Sequence, residues 1–209
     1  MATLTVPPAE NKVILHGVSW ETYERLSSEH QDSPGTHFTY DEGELEIMVV
    51  SLIHEEPNRD LAMLVEVLAL AWRVKFRHAG STTFKREILQ KGFEPDTAFY
   101  FAPESVNRGR SADAESNPRP DLIIEVEVST PALDRFPIFA AFGIPEVWRY
   151  AKSRVIFYRL EGERYVECAS SLALPALTAP VATRFMEDRS RMDIIEWTDS
   201  LQEWARQQR

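Results

Sequence analysis

The stretch Asp121–Ser129, DLIIEVEVS, limits what the chain can fold into more than any other. It is a short apolar run that opens on the pair Pro120-Asp121, and a companion run, GFEPDTAFYF, carries the same pair at Pro95-Asp96. In an extended chain, residues two apart face the same side. Asp121, Glu125 and Glu127 therefore share one face of a strand, and Leu122, Ile124, Val126 and Val128 share the other. A strand this apolar is expected to be central and buried, where a bare carboxylate costs several kcal/mol unless it is paired or bound to a cation. The pattern points to Asp96 and Glu125 holding a divalent metal from adjacent strands. The ordinary alternative is that Asp96 and Asp121 are turn residues after proline and that Glu125 and Glu127 pair with arginines.

A length of 209 residues suits one domain, residues 1–209, with a loose arm at 1–12 and a C-terminal helix over 188–209. The single cysteine, Cys168, leaves no internal disulfide and no thiolate cluster, as in a reducing cytosol. The start, MATLTVPPAENK, lacks the basic and apolar regions of a signal peptide, and no run approaches the ~18 apolar residues of a membrane span. A cytoplasmic location and no membrane partner are the expectation.

The net charge of −10 argues against non-specific nucleic-acid binding, which needs cationic surface. The charge is uneven, however. Arg73, Lys75, Arg77, Lys85, Arg86 and Lys91 face only Glu87 within residues 73–91, and Arg149, Lys152 and Arg154 form a second cluster. Solvated faces are the plain alternative for both.

Periodicity predicts a mixed α/β (α+β) chain. Ser19 caps a helix through about His30, and HFTYDEGELEIMVVS is a hairpin turning at Asp41-Glu42-Gly43. Gln31–Gly35 is a turn. A long helix runs from about Glu55 to Arg77, then strands run over Thr82–Leu89, Phe93–Ala102 and Asp121–Ser129, with a polar loop over 103–119. A helix over Pro131–Phe142 crosses to a strand at Glu146–Tyr150, which makes the last two strands parallel, although Pro137 conflicts with a helix interior. A second hairpin turns at Glu161-Gly162, and the tail from Pro180 is helical, with an apolar stripe of Ile194, Ile195, Trp197, Leu201 and Trp204.

A magnesium-type ion takes one or two carboxylates plus water and phosphate oxygens, which suits Asp96 and Glu125 and points to metal-assisted phosphodiester hydrolysis with Mg2+ or Mn2+. A hairpin centred near Lys91 would set Lys85 opposite Thr97, beside Asp96, where it can orient a water. His54 is more ordinary as a cap or loop residue, and Glu44 and Glu46 as a solvated hairpin face. There is no glycine-rich phosphate loop, nucleophile elbow or histidine cluster.

Together LEIMVVSLIHEE, GFEPDTAFYF, RPDLIIEVEVST and FPIFAAFGIPEVWRY resemble the Uma2 (DUF820) endonucleases, in the form abundant in cyanobacteria, over roughly residues 15–187. The resemblance implies a PD-(D/E)XK nuclease with a restriction-endonuclease-like core of helix, three strands, helix and strand. It also implies DNA as substrate. By position Asp96 is similar to the superfamily aspartate and Glu125 to the glutamate of the (D/E)XK element. The lysine of that element falls on Glu127, which would instead be a third carboxylate. Many relatives carry a lysine eight residues before the glycine of the GVPEYW-like block, where this chain has Arg135, and arginine keeps the charge without acting as a base at neutral pH. Lys85 is then the preferred basic residue. The competing expectation is a catalytically impaired binding or assembly module, and the apolar C-terminal helix suggests a homodimer.

Overall fold

In a computed structural model of the chain, residues 10–30, 35–101, 117–129 and 133–208 are described. The first sheet contains β1 (Glu10–Leu15), β2 (Thr36–Asp41), β3 (Glu44–Val50), β5 (Phe84–Arg86) and β6 (Lys91–Phe93), in the order β1-β3-β2-β6-β5. The second contains β4 (Arg77–His78), β7 (Thr97–Tyr100), β8 (Leu122–Glu127), β9 (Glu146–Ala151), β10 (Arg154–Glu161) and β11 (Arg164–Cys168), in the order β11-β10-β9-β8-β7-β4. As the crossover predicts, β8 and β9 are parallel, while β7 is antiparallel to β8.

The first sheet has two unlike faces. Ser19 Oγ accepts from the Thr22 amide at 3.3 Å and starts α1 (Trp20–Glu29), whose Trp20 and Tyr23 bury Phe38, Tyr40 and Leu45. The rings of Tyr23 and Tyr40 stack at 4.8 Å. Cross-strand partners point the same way. Lys12 and His37 both lie opposite Met48, and Thr39 lies opposite Glu46, so these five share the other face. At the β2–β3 turn Glu42 and Gly43 have φ of 49° and 103°, the left-handed pair that a tight hairpin demands.

In the second sheet β8 separates two cores. Leu122, Ile124 and Val126 pack with α2 (Leu52–Trp72), α4 (Ala179–Arg189) and α5 (Ile194–Gln207). Ile123 packs on the opposite side with Phe93, Ile138 and Phe139, the last two from α3 (Phe136–Ala141). Glu125 and Glu127 therefore point away from the larger core, toward the polar face of the first sheet.

Several boundaries differ from the sequence reading. Residues 10–12 belong to β1 rather than to a loose arm, because β3 offers them a ladder; residues 1–9 lie outside the described residues. The strand expected over Phe93–Ala102 is two strands in different sheets, since Pro95 lacks the N–H that a continuous ladder would need. The Thr82–Leu89 strand shortens to Phe84–Arg86 and then tightens into a 3-10 turn, Glu87–Leu89. The long helix begins three residues early, at Leu52, and carries Pro57 inside it. The Pro137 conflict disappears because α3 starts at Phe136, which puts the proline in the first turn. Residues 130–132, 31–34 and most of the polar loop, 102–116, lie outside the described residues.

The C-terminal stripe is used within the chain. Trp197, Leu201 and Ala205 are buried against α2 and α4, and the Trp72 indole N–H donates to the Ala205 carbonyl at 3.0 Å. That leaves mainly Ile194 and Ile195 of the stripe exposed on α5. No helix among the described residues is long and apolar enough to cross a membrane.

Candidate active site

The β7–β8 register pairs Thr97 with Ile124 and Ala98 with Ile123; carried one residue further, it sets Asp96 across from Glu125 on the same face. Asp96 is deeply buried, and its Oδ2 accepts the Val126 amide at 2.7 Å. His54 Nε2 lies 3.1 Å from Oδ2, and His37 Nδ1 lies 3.4 Å from Oδ1. The backbone is pinned too: Asn58 Nδ2 donates to the Asp96 carbonyl at 3.3 Å, and Asn58 Oδ1 accepts from the Thr97 hydroxyl at 2.8 Å. Burial pushes the Asp96 carboxyl up, but the His37 and His54 rings beside it outweigh that and hold it well below the usual carboxylate range.

Glu125 sits beside an arginine clamp. Arg135 Nη1 donates to Glu125 Oε2 at 2.8 Å and Nη2 donates to Glu46 Oε1 at 2.7 Å. The second Glu46 oxygen accepts the Leu133 amide at 3.2 Å. Burial pushes Glu125 up to about 7; the Arg135 charge opposes this, while the neighbouring Asp96 charge reinforces it. Burial alone would lower Arg135, but Glu125, Glu46 and Asp96 raise it above its ordinary value. Nearby, Glu94 Oε2 accepts the Phe38 amide at 3.1 Å and Oε1 accepts from Thr83 at 2.8 Å, and burial raises that carboxyl.

A cavity of about 260 Å³ opens where the two sheets meet, bordered by Lys12, Glu46, Glu125, Glu127, Arg135 and Arg149 among others. Glu127 faces it half-buried, 3.1 Å from Arg149 Nε. Asp96 lies behind Glu125 and does not border it.

Of the expected site residues, Asp96, Glu125, Glu127 and Arg135 converge here. Lys85 does not. It lies opposite Gly92 rather than Thr97, because β6 ends before Asp96 is reached, and its ammonium pairs with Glu24 at 2.8 Å. His54 is buried against Asp96 rather than acting as a cap, although it stands near the start of α2 as the sequence placed it. Glu46 is buried rather than solvated, since the polar face of its hairpin is the one that Arg135 covers. Glu125 and Glu127 do pair with arginines, as the plain alternative held. His37 and Glu94 were missed; the GFEPD block contained Glu94 two residues before Asp96, a spacing that would have drawn attention to it.

Asp96 Oδ1 and Glu125 Oε1 are buried with no hydrogen-bond partner. Two hard oxygen donors of this kind fit an ion that completes its shell with water and phosphate. Among the described residues no group of three or more His, Cys, Asp or Glu is placed to hold a metal, which does not fit a closed zinc-type site.

A mixed α+β fold of two sheets that sets an aspartate at the start of one strand across from a glutamate of its neighbour, with the glutamate bordering a polar cavity, is of the restriction-endonuclease-like class. The chain belongs to the Uma2 family, described as "Putative restriction endonuclease", whose sequence profile matches residues 20–184. No curated protein matches the chain.

Proposed function

We propose that the protein is a metal-dependent endonuclease that hydrolyses DNA phosphodiester bonds, with Asp96 and Glu125 as the ligands of Mg2+ or Mn2+. The observation that carries this reading is the pair of buried carboxylate oxygens, Asp96 Oδ1 and Glu125 Oε1, that no hydrogen bond satisfies. A bound ion would supply Lewis-acid stabilisation of phosphoryl charge and a more acidic water. The rest is the work of the chain. The Val126 amide and His54 orient Asp96, and Arg135 holds Glu125 and Glu46 at fixed positions. The long cavity side chains Lys12 and Arg149 offset the acidic balance of the chain where a phosphate would enter.

Supercoiled plasmid incubated with Mg2+ or Mn2+ tests this. Nicking that falls at least about 100-fold in both Asp96→Ala and Glu125→Gln is expected. Native-rate nicking by either variant overturns the metal assignment.

One observation favours a second reading. Arg135 already gives Glu125 and Glu46 an internal cation, as a structural ion pair would in a nuclease fold used for binding or assembly. Calorimetry separates the two: metal binding lost in Glu125→Gln belongs to the nuclease, and no binding by a folded native protein belongs to the module.

A further inference from the structure

Resting on the metal ligands proposed above, we infer that Glu46 is a positioning residue, which keeps one oxygen of Glu125 open to a metal by drawing half of the Arg135 guanidinium away from it. A guanidinium is a planar fork whose best partner is both oxygens of one carboxylate. Arg135 does not pair that way. Its Nη1 donates to Glu125 Oε2 at 2.8 Å and its Nη2 to Glu46 Oε1 at 2.7 Å, while Glu125 Oε1 stays buried without a hydrogen bond. The two acids belong to different sheets, Glu46 to β3 and Glu125 to β8, so the guanidinium spans the gap between them. Glu46 is itself buried, and both its oxygens are in use. The second accepts the Leu133 amide at 3.2 Å, so Glu46 holds the chain just before α3 at two points, one on the backbone and one on the arginine. Two committed oxygens suit a supporting role rather than that of a third ligand. Without the Glu46 charge, Glu125 Oε1 becomes the stronger partner for Nη2, and the fork closes on the oxygen that a cation needs. Groups that orient a metal ligand from behind change affinity by about 10–100-fold when they are removed.

Calorimetry with Mn2+ on the native protein, Glu46→Gln, Arg135→Met and the double variant tests this. Glutamine keeps the size of Glu46 and an acceptor for the Leu133 amide, and melting in EDTA checks that each protein is folded. Mn2+ should bind Glu46→Gln about 10-fold more weakly than native. Nicking of supercoiled plasmid by that variant should need correspondingly more Mn2+ and return close to the native rate once Mn2+ saturates. In the Arg135→Met background the same substitution should leave Mn2+ affinity where Arg135→Met alone puts it, since there is no fork to release. A crystal structure of metal-free Glu46→Gln should show both terminal nitrogens of Arg135 on Glu125, and it carries the test should the double variant not fold. Native Mn2+ affinity in Glu46→Gln would overturn the inference and leave the nuclease reading intact. So would an equal loss in both backgrounds, which makes Glu46 a mere charge near the ion, or an arginine that stays off Glu125 Oε1. A folded native protein that binds no Mn2+ overturns the metal reading and this inference with it.

Discussion

Arg135 lies 2.8 Å from Glu125, on the carboxylate that a cation would share with Asp96. The guanidinium and the buried acid belong to residues ten apart in sequence, one inside β8 and the other just before α3. Their pairing controls the charge of the whole site, so its removal should be read first in stability.

Arg135→Met leaves Glu125 and Glu46 buried without their cation. Breaking a buried pair from one side costs about 3–5 kcal/mol. Urea unfolding in EDTA at pH 7.5 should show a loss of that size, shrinking at pH 5 as the carboxyls take up protons. Arg135→Lys should lose less, because it keeps the charge but cannot span both acids. An Arg135→Met protein as stable as native would remove the clamp from the account.

The folded-state value for Glu125, about 7, lies above its ordinary 4.5. Its contribution to stability is therefore fully present below about pH 4.5 and is lost as the pH rises through 7, by about 3 kcal/mol in all. Asp96 has the opposite sign, and its contribution is lost only in acid, as the pH falls below 3.8. Metal-free stability should thus decline between pH 5 and 8 in the native protein and decline less in Glu125→Gln. Glu94 and Glu146, also raised by burial, leave a residual slope of the same sign.

Asp96→Asn keeps an acceptor for the Val126 amide and removes the charge. Calorimetry with Mn2+ should then show no binding heat in a protein that still melts cooperatively. Native-like binding by this variant would take Asp96 out of the ligand set.

Lys85→Ala should nick DNA at the native rate. Its ammonium is spent on Glu24, which is 41% exposed, and such pairs contribute about 0–1 kcal/mol. A large loss of nicking here would contradict the observed β5–β6 register.

Gly92 is fixed by packing rather than by φ. A Cβ there would sit 2.1 Å from the Tyr23 hydroxyl oxygen and 2.7 Å from its ring, in a side chain that is fully buried and stacked on Tyr40. Gly92→Ala should cost about 1–3 kcal/mol by thermal or urea unfolding, since the overpacked ring has no free space to enter.

The alternation of DLIIEVEVS was sufficient to place Glu125 and Glu127 away from Leu122, Ile124 and Val126, and the Pro-Asp pairs marked the two strands that meet. Capping at Ser19, the Glu42-Gly43 turn and the parallel β8–β9 crossover were equally legible, because each depends on neighbours a few residues away. The strand β1 was not, since ENKVIL is a weak pattern that becomes a strand only when β3 supplies its partner.

The sequence by itself determined the period of each element, and hence which side chains share a face. Only the tertiary structure decided what each face meets. Glu46 looks solvated because alternation reports sides and not coverings, and the residue that covers it, Arg135, stands 89 positions away. Lys85 failed for the same reason, since one ladder ends before Pro95 and another starts after it, leaving Asp96 at the head of a strand in a different sheet. Charges act through space, so the cation beside each carboxylate is set by how the two sheets dock, and no local spacing contains that information.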